Sequence, residues 1–157
     1  MRWRSKGEFR GKYYAGRWGY FSKAIGLAKE FDVKTVLEIG PYTTSFSSDS
    51  DVMDREDFGI SNRLILHDVD IIPWPIDNKC YDLVIATQVW EHLKHPKEAF
   101  AETTRIAKHA ILSFPYKWNS GTREHRGIDD DRIIEMTSSD FSRREIVGRR
   151  AIFVWSF

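Results

Sequence analysis

The stretch that most constrains this chain is Thr35-Val36-Leu37-Glu38-Ile39-Gly40, a run of β-formers that stops at a glycine. A carboxylate sits one residue before its last apolar position. A strand apolar on both faces must be covered on both, which predicts the first strand of a doubly wound α/β sheet. In such a sheet a ligand meets the carboxyl ends of the strands, and a glycine there permits close approach.

The remaining patterns extend that sheet. Val33 to Ile39 is the first predicted strand, and Val52-Met53, ending in Asp54, the second. Only 11 residues separate Gly40 from Val52. A parallel crossover ordinarily needs a full helix there, but Pro41, Thr43, Thr44, Ser45, Ser47 and Ser48 are poor helix formers, so a shortened first crossover is expected. Arg63 to Val69 reads as a third strand, followed by a proline-punctuated ordered loop, Ile71 to Ile76. Tyr81 to Val89 is the clearest fully buried strand. Pro96 opens a helix to about Lys108, Ala110 to Phe114 is a fifth strand, and Asp129-Asp130-Asp131 leads a short helix over Arg132 to Met136. Arg143 to Val147, a turn at Gly148 and Arg149 to Phe157 form a terminal antiparallel hairpin. Ahead of the sheet, Trp18, Phe21, Ile25, Ala28 and Phe31 recur at helical spacing, predicting an amphipathic helix from Arg17 to Phe31 despite Gly19 and Gly26.

A length of 157 residues suits one domain over positions 1–157. Its parts are an aromatic and basic lid and helix over 1–31 and an α/β core over 33–157, with Tyr13 and Tyr14 placed to cover a ligand. A net charge of +1 gives no global argument for nucleic acid. The lone Cys80 makes no internal disulfide, no apolar run approaches the roughly 20 residues of a bilayer span, and no signal-like core follows the basic N-terminus. A cytoplasmic protein without membrane contact is therefore expected. From Met1 to Lys34 there are 9 Lys+Arg against 3 Asp+Glu, whereas Thr35 to Glu102 has 5 against 13. The carboxylates thus concentrate where the strand ends do, while the basic flanks read as solvated surface or as a patch for a phosphorylated or nucleotide-linked substrate.

Carboxylates after successive strands, here Glu38, Asp54 and Asp68, suit a nucleoside, whose ribose diol donates two hydrogen bonds that a carboxylate can accept. The sequence TVLEIG, an acid after the second strand, and then LHDVDIIPWPIDNKCYDLVIATQVWEHLKHPKEAFAETTRIAKHAILSFPY resembles the class I S-adenosylmethionine-dependent methyltransferases, in the type 11-like branch. The resemblance covers roughly Val33 to Tyr116. It implies a Rossmann-like sheet, mostly parallel with the C-terminal antiparallel hairpin, and S-adenosyl-L-methionine as cofactor. By the same resemblance Glu38 and Gly40 would lie beside the methionine part, with Glu38 holding the loop. Asp54 would take the ribose, with Glu56 or Asp57 as stand-ins, Asp68 and the Val69 backbone would read the adenine, and Thr87 and Gln88 would close over the sulfonium. Glu91 and His92 would face the acceptor at the mouth.

One segment departs from the family: Gly40 is followed by Pro41-Tyr42-Thr43-Thr44 where further glycines are usual. Tyr42 would add a side chain next to the cofactor. His92 and His125 are the candidate catalytic bases, because a neutral imidazole accepts a proton near neutral pH; for His92 the alternative is a structural hydrogen-bonded histidine. Arg123 and Arg126 could meet phosphate or carboxylate. No metal site is expected, since His92 and His95 precede a proline-led helix and no second cluster stands at the usual spacing. Cys80 has no activating partner, and phosphate-binding and dinucleotide glycine motifs are absent. The expected acceptor is a small molecule or a glycan, a homo-oligomer is compatible, and Tyr13-Tyr14 with the 117–127 loop would gate the site. Two alternatives are a non-catalytic methyltransferase-like binding or regulatory subunit with an eroded cofactor loop, and a binder of nucleotides or nucleotide-sugars.

Overall fold

The computed structural model describes residues 1–119 and 121–157. Its sheet has seven strands: β1 (Val36–Ile39), β2 (Asp51–Asp54), β3 (Leu64–Leu66), β4 (Tyr81–Thr87), β5 (Ala107–Pro115), β6 (Arg143–Val147) and β7 (Arg150–Ser156). Their spatial order is β3-β2-β1-β4-β5-β7-β6. β1 to β5 are parallel to their neighbours, and β7 lies antiparallel between β5 and β6. The α/β class, the mostly parallel sheet and the terminal hairpin are as expected from the sequence.

Among the described residues four α-helices accompany it: α1 (Lys12–Ala15), α2 (Trp18–Ala28), α3 (Pro96–Ile106) and α4 (Asp130–Thr137). α3 begins as the sequence requires, with Pro96 in its first turn and Glu98 beside the positive end of the helix dipole. It stops where Ala107 takes an extended backbone and starts β5, which is longer than the Ala110 to Phe114 expected. α4 is capped by the Asp129 carboxylate, which accepts from the Arg132 N–H at 3.0 Å. Gly19 of α2 faces β6: a Cβ there would be 3.8 Å from Val147 Cγ1, an ordinary contact.

Two apolar layers enclose the sheet. Phe21, Ala24, Ile25 and Leu27 of α2 pack with Val36, Leu83, Ile85, Ile111, Ile152 and Val154 on one face. Ala99, Phe100 and Ile106 of α3 and Ile133 and Met136 of α4 pack with Leu37, Val84, Leu112 and Phe153 on the other. Alternate residues of each strand serve opposite layers, so the central strands read as unbroken apolar runs. The stretch from Pro41 to Ser50 contains no helix, so the first crossover is a loop, as its composition predicts. The loop after β3 is pinned at Trp74, whose backbone N–H donates to Glu102 Oε2 at 2.8 Å and whose indole N–H donates to the Val69 carbonyl at 3.0 Å. No helix among the described residues is long and apolar enough to cross a membrane.

Candidate active site

The strand order reverses between β1 and β4, which places a crevice at their carboxyl ends. A cleft of about 530 Å³ opens there, floored by Ile39, Met53, Val69, Val89 and Leu93 and rimmed by Asp54, Asp68, Asp70 and His92. Gly40 ends β1 with φ +64°, a conformation that favours glycine, and a Cβ at this position would lie 2.9 Å from Val89 Cγ2. The glycine is thus fixed by both its backbone and its neighbour.

Glu38 faces away from the cleft and is buried. Its carboxylate accepts from the Phe46 N–H at 2.6 Å, the Ser47 N–H at 2.9 Å and the Ser50 hydroxyl at 2.6 Å. Burial pushes its pKa up to about 7, against the pull of those three donors. One side chain therefore organises the loop that replaces the crossover helix. The N-terminal segment braces the same loop from outside: the Arg4 N–H donates to the Phe46 carbonyl at 2.7 Å, and the Tyr14 hydroxyl lies 2.8 Å from Thr43 Oγ1. Of the two tyrosines expected as a lid, Tyr14 is buried in this brace and Tyr13 is exposed.

Asp54, at the end of β2, is half-buried, and desolvation raises its pKa above the ordinary aspartate value. It accepts a long bond of 3.4 Å from the Glu56 N–H, which leaves acceptor capacity directed at the cleft. Asp68 turns the chain after β3 by accepting from the Asp70 N–H at 3.0 Å. Asp70, given no role by the sequence, ties two loops together by accepting from the backbone N–H groups of Lys94 and His95, each at 2.9 Å. An Asp two residues past another acid carries no distinguishing signal, because its partners lie in the loop after β4. Gln88 lines the cleft in a left-handed conformation, φ +58°, a strained backbone of the kind concentrated at ligand sites. Thr87 lies in the strand outside the cleft lining. Tyr42, also left-handed at φ +64°, is outside it too: the residue is 41% exposed, and its ring packs against Phe58 and Tyr13, with centroids 4.9 and 5.1 Å apart.

His92 lies at the mouth, where burial and then neighbouring His125 lower its pKa below the ordinary imidazole value. The two rings are 5.0 Å apart, centroid to centroid, so the 117–127 loop reaches this edge of the sheet; residue 120 of that loop lies outside the described residues. Glu91 does not face the acceptor side openly, because its side chain has no exposed surface. An apolar floor, two carboxylates that can accept hydrogen bonds after successive strands and a glycine beside them have the chemistry and shape to take a nucleoside.

Residues 26–110 match the methyltransferase domain family. The chain belongs to that family. No curated protein matches it in sequence. Among solved structures, a Pyrococcus horikoshii protein aligns with a TM-score of 0.72 at 12% identity, covering 94% of this chain and 92% of that one. A SAM-dependent methyltransferase from Aquifex aeolicus aligns with a TM-score of 0.60 at 16% identity, covering 85% and 88%. The Burkholderia thailandensis 1,6-didemethyltoxoflavin-N1-methyltransferase, solved with S-adenosylhomocysteine, aligns with a TM-score of 0.64 at 10% identity, covering 86% and 75%. At these identities the structural likeness establishes the shared class I methyltransferase fold.

Proposed function

We propose that this chain transfers a methyl group from S-adenosylmethionine to an oxygen or nitrogen of a small-molecule or glycan acceptor. The observation that carries the reading is the cleft at the β1/β4 reversal, where Gly40, Asp54, Asp68 and Gln88 converge around an apolar floor. Asp54 would accept the ribose hydroxyls, for which its underused, partly desolvated carboxylate is suited. Asp68 and the Val69 backbone would meet the adenine edge, and Gly40 would leave room for the methionine end. When bound, the cofactor supplies an electrophilic methyl group on sulfur. The protein's task is alignment, for which proximity is the large term. His92 or His125 at the mouth would take the acceptor's proton.

The position of Tyr42 supports retained binding over an eroded, non-catalytic descendant, since its side chain packs on Phe58 and Tyr13 rather than in the cleft lining. Isothermal calorimetry with S-adenosylmethionine and S-adenosylhomocysteine tests the reading. Saturable heats are expected, with Asp68→Ala weakening both ligands by about 10-fold or more, the loss of a charge-assisted hydrogen bond. Absence of heat at high-micromolar ligand would sink the proposal. Unchanged affinity in Asp68→Ala would remove the adenine role from that residue.

A further inference from the structure

Three potential ligands meet beside the mouth of the cleft, although they come from two separate loops. Glu91 and His92 lie in the turn after β4, and His125 comes from the loop after β5. One donor atom from each lies within 4.8 Å of the other two. Three donors bound to one ion at about 2.2 Å lie about 3.1–3.8 Å from one another, so the widest pair needs to close by about 1 Å or more. His92 is exposed and His125 half-buried, and each comes from its own loop, so the closure falls to these two imidazoles rather than to buried Glu91.

The Glu91 carboxylate is the independent sign that something is bound here. Its side chain is wholly inaccessible, and neither oxygen has a hydrogen-bond partner. Buried carboxylates are ordinarily paired, hydrogen-bonded or bound to a metal. Arg150 lies near enough to attract it, but no hydrogen bond joins the two, and Arg150 Nε is itself buried without a partner. His92 Nε2 is 4.0 Å from Glu91 Oε1, too long for a hydrogen bond and open to an ion between them.

His125 has the second contact expected of a histidine ligand. Its Nδ1 is 2.8 Å from Thr122 Oγ1, so an Nδ1–H donated to that hydroxyl leaves Nε2 as the lone-pair donor. Glu124 adds a further negative charge close to both imidazoles, offsetting the nearby Arg55.

We propose that Glu91, His92 and His125 form a binding site for a divalent first-row transition-metal ion. Two imidazoles and one carboxylate favour manganese through zinc over magnesium or calcium, which prefer all-oxygen sites. Three protein ligands leave coordination positions open, and His92 also lines the cleft, so those positions adjoin the place where an acceptor would stand. If methyl transfer occurs as proposed above, an acceptor hydroxyl on the ion would lose its proton more readily, and the imidazoles would serve as ligands rather than free bases.

The test uses the full chain stripped with a chelator and then titrated with Co²⁺, Mn²⁺, Zn²⁺ and Mg²⁺. One ion per chain is expected from calorimetry, with a visible ligand-field band for Co²⁺ and at least about 10-fold weaker Mg²⁺ binding. His125→Ala and Glu91→Gln should each lower Co²⁺ affinity by at least about 10-fold. If Glu91→Gln fails to fold by circular dichroism, His125→Ala, in a polar loop, carries the comparison. No band and no heat with any transition ion would overturn the site, as would unchanged affinity in every folded variant. S-adenosylhomocysteine binding to the stripped protein is measured separately: nucleoside binding without metal binding overturns the metal site alone, and metal binding without nucleoside binding overturns the methyl-transfer reading alone.

Discussion

Gly40 shows how much a single position contributes to the cleft. An alanine there would have to hold φ +64° and place its Cβ 2.9 Å from Val89 Cγ2, on a residue that also lines the cleft. The left-handed backbone costs about 1–2 kcal/mol for a non-glycine residue, and the clash adds to it. Gly40→Ala is therefore expected to lose about 1–3 kcal/mol in denaturant melts and to bind S-adenosylhomocysteine more weakly. Adding Val89→Ala should restore part of that loss by removing the clashing methyl. A double variant no better than the sum of the two single ones would show that the contact does not limit the site. At this scale the glycine was legible in the sequence, because a strand that stops at Gly reports its own geometry. Glu91 was not: nothing beside it in the chain tells that its carboxylate is buried and next to His125, a residue from a different loop.

Among the elements, the Pro41 to Ser50 loop behaves as a unit because one buried carboxylate holds it. Glu38 has its pKa raised from 4.5 to about 7, mainly by burial. Unfolded, the group ionises near 4.5; folded, it keeps its proton to about 7. Its contribution to stability is thus fully present below about 4.5 and is lost as pH rises to about 7. Glu38→Gln cannot ionise, so the pH dependence of stability between pH 4.5 and 7 should be flatter than in the parent. The amide also presents an NH₂ where backbone N–H groups now donate, so the variant should be about 1–3 kcal/mol less stable at pH 5. Urea melts at pH 4.5, 5.5 and 7 in parent and variant check both statements, and parallel pH profiles would contradict the assignment. The shortened crossover was visible in its Pro, Ser and Thr content. The first strand is shorter than predicted: ahead of Val36 the backbone N–H groups of Lys34 and Thr35 donate to the Asp82 carboxylate, while the Thr35 carbonyl accepts from the Leu83 N–H at 3.2 Å. That pairing is long-range, so no local pattern reports it.

For the whole molecule, the pattern of apolar runs specified the sheet because each central strand is buried on both faces, and the order of strands and helices follows from that. What the pattern lacked was the use of the N-terminal segment, whose aromatic and basic residues show no period. It crosses the outside of the Pro41 to Ser50 loop, with Arg2 and Arg4 in backbone bonds to Ser48 and Phe46 and Tyr14 against Thr43. β1 holds that loop from inside through Glu38, and the N-terminus holds it from outside, so parts distant in sequence secure one loop. Tyr14→Phe removes the outer hydroxyl and should cost about 0.5–1.5 kcal/mol. If the two braces secure one loop, Tyr14→Phe and Glu38→Gln will not be additive: the double variant should lose less than the sum by at least about 0.5 kcal/mol. A loop already released by one change has less left for the second to release. S-adenosylhomocysteine affinity should show the same shortfall, since Gly40 links the loop to the cleft. Strict additivity in both measurements would mean that the N-terminal segment stabilises the fold without bearing on the site.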